Sequence, residues 1–171
     1  VSMTSRRLVL VRHAKAEQDG TVDHVRPLTG PGGTEAAAAG RWLAGSGIAI
    51  DLALVSTALR TRDTWELMAR ELPGLPTTVY EERLYEASLS TTLALVNEAP
   101  DDLRTLLLVG HNPSIHALAD ALTGEADGDA RLRMNQAGFP TGAITVLTSE
   151  DAWTSLEYGT ATLRSYWTPH S

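Results

Sequence analysis

Three short apolar runs constrain this chain most: Leu8-Val-Leu-Val11, Leu52-Ala-Leu-Val55 and Leu106-Leu-Leu-Val109. A strand with one face in water alternates apolar and polar side chains, whereas a strand covered on both faces reads as an unbroken apolar run. Helical stretches separate the three runs. This alternation predicts a mainly parallel sheet with helices on both faces.

The predicted helices are Thr34–Leu43, Arg60–Leu72 and Ser90–Glu98, and a fourth that Ser114 would cap, running through Leu118 and Leu122. Glu35 would lie in the first turn of the first helix, where the dipole favours a carboxylate. Trp65, Leu67, Met68 and Leu72 can share one apolar face of the second. Thr77–Tyr80 reads as a short third strand, and Thr105–Val109 as the fourth. Ala143–Leu147 and Thr162–Trp167 read as two late strands, paired with each other. Pro27-Leu-Thr-Gly-Pro-Gly-Gly33 reads as the end of a loop, and Glu125–Ala130 as an acidic loop.

With 171 residues and no internal repeat or linker, the chain is expected to form one domain, loose at residues 1–6 and beyond about 167. The absence of Cys excludes thiolate metal sites and cysteine nucleophiles. A net charge of −7 argues against nucleic acid or an anionic membrane as partner. No apolar stretch approaches a membrane span, and the one after the basic pair Arg6-Arg7 is too short for a secretory signal. A cytoplasmic protein is the expectation.

The three runs end in chemistry. The first empties into Arg12-His13, the second into Ser56-Thr-Ala-Leu-Arg60, the third into Gly110-His111-Asn112. In a parallel sheet the carboxyl ends of the strands gather at one edge, where such sheets bind ligands. Two Arg and two His meeting there would make a pocket for a phosphoryl group. His13 could attack phosphorus and split a hard displacement into two easier ones. Arg12 could neutralise the transferred oxygens. Arg60, opening a helix, would add a fork of donors to a terminus already suited to phosphate. His111 could donate to a phosphoryl oxygen. Glu86, with Glu81 and Glu82 as alternatives, could serve as general acid. Arg62 is expected to face solvent, His116 to turn away, and His24 and His170 to be loop and tail residues. No histidine shows metal-ligand spacing.

The ordered set Leu-Val-Arg12-His13-Ala-Lys-Ala, Ser56-x-x-x-Arg60-x-x-x-Thr64 and Val-Gly-His111-Asn-Pro resembles the histidine phosphatase superfamily, which includes cofactor-dependent phosphoglycerate mutases. Arg-His-Ala-Lys, Gly-His-Asn-Pro and Arg26-Pro-Leu-Thr29 are most similar to its SixA-type phosphohistidine phosphatases. The resemblance spans Leu8 to about Leu122. It implies a phosphoglycerate mutase-like fold, an α/β/α three-layer sandwich. It implies His13 as the phosphorylated nucleophile and Arg12, Arg60 and His111 as the phosphate pocket, with Asn112 adding a contact. It implies no metal and no organic cofactor, and a phosphorylated protein or small phosphate ester as substrate. The chain departs from the pattern in having Ser56-Thr57 for the common Ser-Pro, and Glu86 matches the place of the usual acid only approximately. Short segments between the motifs imply an open site that could admit phosphohistidine in a protein. The alternatives are a small-molecule phosphomonoesterase and a phosphate-binding module without turnover. A mutase would need a lid that this chain is not expected to carry.

Overall fold

A computed structural model describes residues 5–18 and 22–170. Seven strands form one sheet in the order β3-β2-β4-β1-β6-β7-β5. They are β1 (Arg6–Arg12), β2 (Leu52–Ser56), β3 (Thr77–Glu81), β4 (Thr105–Gly110), β5 (Thr123–Ala126), β6 (Ile144–Ser149) and β7 (Ala161–Trp167). β6 runs against both β1 and β7, while β1, β2, β3 and β4 pair in parallel. The late strands pair with each other as the sequence predicts.

The unbroken apolar runs have their expected cause. In β1, Leu8 and Leu10 enter one core while Val9 and Val11 enter the other; in β4, Leu106 and Leu108 oppose Leu107 and Val109 in the same way. The helices α1 (Gly30–Gly45) and α2 (Leu59–Ala69) cover one face through Ala39, Leu43, Trp65 and Met68. On the other face, α3 (Leu89–Asn97), α4 (Ser114–Leu122) and α5 (Ala130–Ala137) bury Leu95, Val96, Leu118, Leu122 and Met134. Burial of an aliphatic side chain of this kind contributes roughly 1.5–3 kcal/mol, so the central strands are the anchor of the whole sheet edge. Among the described residues no helix is long and apolar enough to cross a membrane.

Several local expectations are corrected. The glycine-rich stretch is helix, not loop. α1 begins at Gly30, with Thr29 Oγ1 accepting from Gly32 N at 2.9 Å and Pro31 in the first turn, where a missing N–H costs nothing. Gly32 is required by close approach: a Cβ there would lie 2.0 Å from the Lys15 carbonyl oxygen. Because α1 starts early, Glu35 lies beyond its first turn and accepts from Lys15 N at 2.8 Å and Thr141 Oγ1 at 3.3 Å. Ser114 is the first helical residue and no cap; its hydroxyl donates to the His111 carbonyl at 2.9 Å. The stretch Glu125–Ala130, expected as a loop, holds the end of β5 and the first residue of α5, a helix that shows little periodicity because only Ala130 and Met134 are buried. Two residues within the stretches expected to be loose make defined contacts. Arg6 opens β1 and pairs with Asp101 at 2.8 Å, and His170 lies 3.0 Å from Glu35. Residues 1–4 and 171 lie outside the described residues.

Candidate active site

The register brings the strand ends level. Arg12 pairs with Gly110 and Val55 with Val109, so β1, β4 and β2 release His13, His111 and Ser56 at one edge. His13 N donates to the Gly110 carbonyl at 3.1 Å, and the His13 and His111 ring centroids are 5.4 Å apart. Both rings are buried. Arg60 stands in the first turn of α2, also buried. Thr64, one turn on, ties this helix to the first motif: it donates to the Arg60 carbonyl at 2.6 Å and accepts from Ala14 N at 2.9 Å.

The imidazole tautomers follow from their partners. His13 Nδ1 lies 2.7 Å from the Ala14 carbonyl oxygen. A carbonyl can only accept, so Nδ1 carries the proton and Nε2 keeps its lone pair. His111 Nε2 lies 2.7 Å from Ser56 Oγ, and its Nδ1 is buried without a partner among the described residues. Arg12 Nη1 donates to the Phe139 carbonyl at 3.1 Å, and Asn112 Nδ2 donates to the same oxygen at 2.9 Å. Asn112 thus ties one amide N–H to the loop carrying Phe139, while its Oδ1 is buried without a partner among the described residues. Arg60 donates Nη1 to the Asp23 carbonyl at 2.9 Å and Nη2 to its carboxylate at 3.2 Å. The Nε atoms of Arg12 and Arg60 are buried and have no partner among the described residues. Buried donors in a folded protein are normally satisfied. Two guanidinium N–H groups and one imidazole nitrogen are thus left unpaired on residues clustered with His13, which is the donor chemistry an oxyanion would call for.

Electrostatics agree. Burial lowers the His13 pKa to about 4, with Arg12, Arg60 and Arg26 adding to the effect. Burial lowers that of His111 to about 3, assisted by His13 and Arg60. Both rings are therefore neutral near pH 7, so the His13 Nε2 lone pair is unprotonated there. NMR titration of the histidine rings should show two members of the set changing charge far below 6.5, and saturating inorganic phosphate should move both upward. Two ordinary titrations near 6.5 without phosphate would contradict this reading of the site.

The structure adds residues that the sequence reading passed over. η1 (Asp23–Val25) is a single 3-10 turn between β1 and α1. Asp23 accepts from Arg60, Arg26 and the Tyr85 hydroxyl, and its pKa is lowered to about 2, chiefly by that phenol. His24 is no free loop residue: its Nε2 lies 2.9 Å from Thr57 Oγ1 and its ring meets Tyr85 edge-on at 4.8 Å. Tyr85 in turn meets His111 at 5.7 Å. It follows η2 (Glu82–Leu84), the short 3-10 turn after β3. Glu86, the next residue, is exposed, at φ 58°, with no hydrogen bond or ion pair among the described residues. Glu81 is held by Arg83 at 2.9 Å. Arg62 is exposed and stacks over Tyr80, as expected of a solvent-facing residue, and His116 contacts Phe139. The one clue in the sequence to η1 is its composition: an acid, an imidazole and a cation within Asp23-His24-Val-Arg26.

This geometry has known counterparts. Residues 8–92 match the model of the histidine phosphatase superfamily, branch 1. A protein assigned as the phosphohistidine phosphatase SixA from Nakamurella multipartitia superposes with a TM-score of 0.86 and 34% identity, covering 98% of each chain. The protein histidine phosphatase SixA complexed with tungstate superposes with a TM-score of 0.74 and 26% identity, over 96% of this chain and 97% of that one. An uncharacterized protein of Mycobacterium tuberculosis is 40% identical over 162 residues, 93% of this chain and 99% of the relative. The chain belongs to the histidine phosphatase superfamily, in its SixA-type branch. Its sandwich is of the phosphoglycerate mutase-like type.

Proposed function

We propose that this phosphatase removes phosphoryl groups from phosphohistidine in a protein, through a covalent phosphoenzyme on His13. The observation that carries the reading is the fixed tautomer of His13. With Nδ1 bound to the Ala14 carbonyl, Nε2 is the nucleophile, in the company of Arg12, Arg60 and His111.

In the first step Nε2 attacks phosphorus in line while the bond to the leaving group breaks. Charge on the transferring oxygens is balanced by the two guanidinium groups and by His111, whose Nδ1 has no partner among the described residues. In the second step water attacks the phosphohistidine and regenerates His13. Phosphohistidine suits this site chemically, since a P–N bond whose imidazole is protonated needs little further help to break. The reading is also supported by the SixA-type relatives.

Rapid quenching of the enzyme with radiolabelled phosphohistidine protein should trap acid-labile, alkali-stable phosphate on His13. In competition, that protein should be turned over in preference to phosphoserine peptide and sugar phosphates. Fast turnover of a sugar phosphate with none of the phosphohistidine protein would replace this reading with a small-molecule phosphomonoesterase. Tight phosphate binding with no burst on any donor would replace it with a binding module.

A further inference from the structure

The phosphoryl side of this site is fully furnished, whereas Glu86, the carboxylate expected on the leaving-group side, is not fixed by anything. It is exposed and without a partner among the described residues. A different proton carrier is built into the wall. From the nucleophile outward, four rings follow one another: His13 to His111 at 5.4 Å, His111 to Tyr85 at 5.7 Å, Tyr85 to His24 at 4.8 Å. His24 is half-buried and pinned from two sides. Thr57 Oγ1 holds its Nε2 at 2.9 Å, and the Tyr85 ring holds its plane. Its neighbour Asp23 is bound through both the backbone carbonyl and the carboxylate to Arg60. The turn bearing His24 is thus fixed to a phosphate-binding arginine. His24 Nδ1 has no partner among the described residues.

In-line attack by His13 Nε2 sends the leaving group to the side of phosphorus opposite His13. The geometry points to His24 as the proton donor to that leaving group, an assignment that rests on the phosphoenzyme reading above. As an imidazolium, His24 donates Nε2–H to Thr57 and offers Nδ1–H to the substrate. While the His13 Nε2–P bond forms, the old P–N or P–O bond breaks and its electron pair stays on the leaving atom. For phosphohistidine the His24 proton goes to the ring nitrogen remote from phosphorus, and neutral imidazole departs. For an ester the proton goes to the ester oxygen, and an alcohol departs. His24, now neutral, takes a proton from the water that attacks the phosphorylated His13. Inorganic phosphate leaves, and both histidines are restored. Imidazole is the side chain suited to give and retake a proton near neutral pH. Its ring meets the Tyr85 ring and the Thr57 hydroxyl, and the adjoining Asp23 is tied to Arg26 and Arg60.

The test compares kcat/KM, which reports the step up to leaving-group departure, for p-nitrophenyl, phenyl and alkyl phosphates. p-Nitrophenolate leaves without a proton, while the others need one. His24→Gln keeps an amide donor for Thr57 but has no proton to transfer. The variant is expected to lose on the order of 100-fold more on phenyl phosphate than on p-nitrophenyl phosphate, with a steeper dependence of rate on leaving-group basicity. Residual p-nitrophenyl phosphate turnover reports that the variant is folded. Equal losses on all substrates, or none, would overturn the assignment. So would the selective loss appearing in Glu86→Gln and not in His24→Gln. If the wild-type enzyme turns over no phosphodonor, the phosphoenzyme reading falls, and this assignment with it. A competent wild type with an unselective His24→Gln removes this assignment alone.

Discussion

A His13→Ala variant is expected to lose phosphatase turnover by a factor on the order of 10⁴ or more, and to accumulate no protein-bound phosphate. The remaining pocket, with Arg12, Arg60 and His111, would still bind an oxyanion and so retain inhibition by inorganic phosphate. Loss of catalysis with retained anion binding separates a nucleophile from a phosphate ligand. The same variant carries a signature in stability. His13 titrates at about 4 in the folded protein and near 6.5 when unfolded. Above pH 6.5 the ring is neutral in both states and stability is unaffected. As pH falls from 6.5 to 4 the unfolded chain takes up the proton first, so stability drops, by about 3 kcal/mol in all. Below 4 the loss levels off. His13→Ala does not carry this penalty and should gain on the wild type over that window in urea unfolding. Normal turnover by His13→Ala, or parallel pH–stability curves for the two proteins, would contradict the site as described.

Much of this site was legible because its key residues sit at strand ends, and buried strands announce themselves. Leu106–Val109 is apolar on both faces since both cores need it. Once the three runs are aligned in parallel, Arg12, His13, Arg60 and His111 have nowhere to go but one edge. The residues passed over owe their roles to distant partners. Asp23 lies 37 positions from Arg60 and 62 from Tyr85, and no local pattern encodes either pairing. His24 is surrounded by turn-forming letters, so its neighbours in sequence said nothing of Thr57 or Tyr85. The start of α1 was obscured for a different reason. Glycine disfavours helix interiors, yet Gly32 is there because the Lys15 backbone leaves no room for a side chain. α5 was hidden because it buries too few side chains to leave a period.

Arg60→Ala is expected to lower kcat/KM on the order of 10³-fold and to weaken inhibition by inorganic phosphate at least about tenfold, or roughly 1.4 kcal/mol. Arg60 is buried and gives one N–H from each Nη to Asp23, which leaves three of the five guanidinium N–H groups, the Nε–H among them, for other acceptors. Its charge therefore serves two ends, holding η1 in place and neutralising the phosphoryl group. Removing it leaves Asp23 with Arg26 and the Tyr85 phenol for company, so a carboxylate remains near the site with one fewer cation against it. Arg60→Lys restores the charge but not the fork. An ammonium cannot occupy the Asp23 carbonyl, the Asp23 carboxylate and the phosphoryl oxygen in the geometry that a planar guanidinium does. The lysine variant should consequently recover phosphate inhibition better than it recovers kcat. If Arg60→Lys instead turns over at nearly the wild-type rate, a point charge suffices and the fork to Asp23 has no catalytic value. If Arg60→Ala leaves phosphate inhibition intact, the Arg60 guanidinium does not meet the phosphoryl group and the pocket must be redrawn around Arg12 and His111.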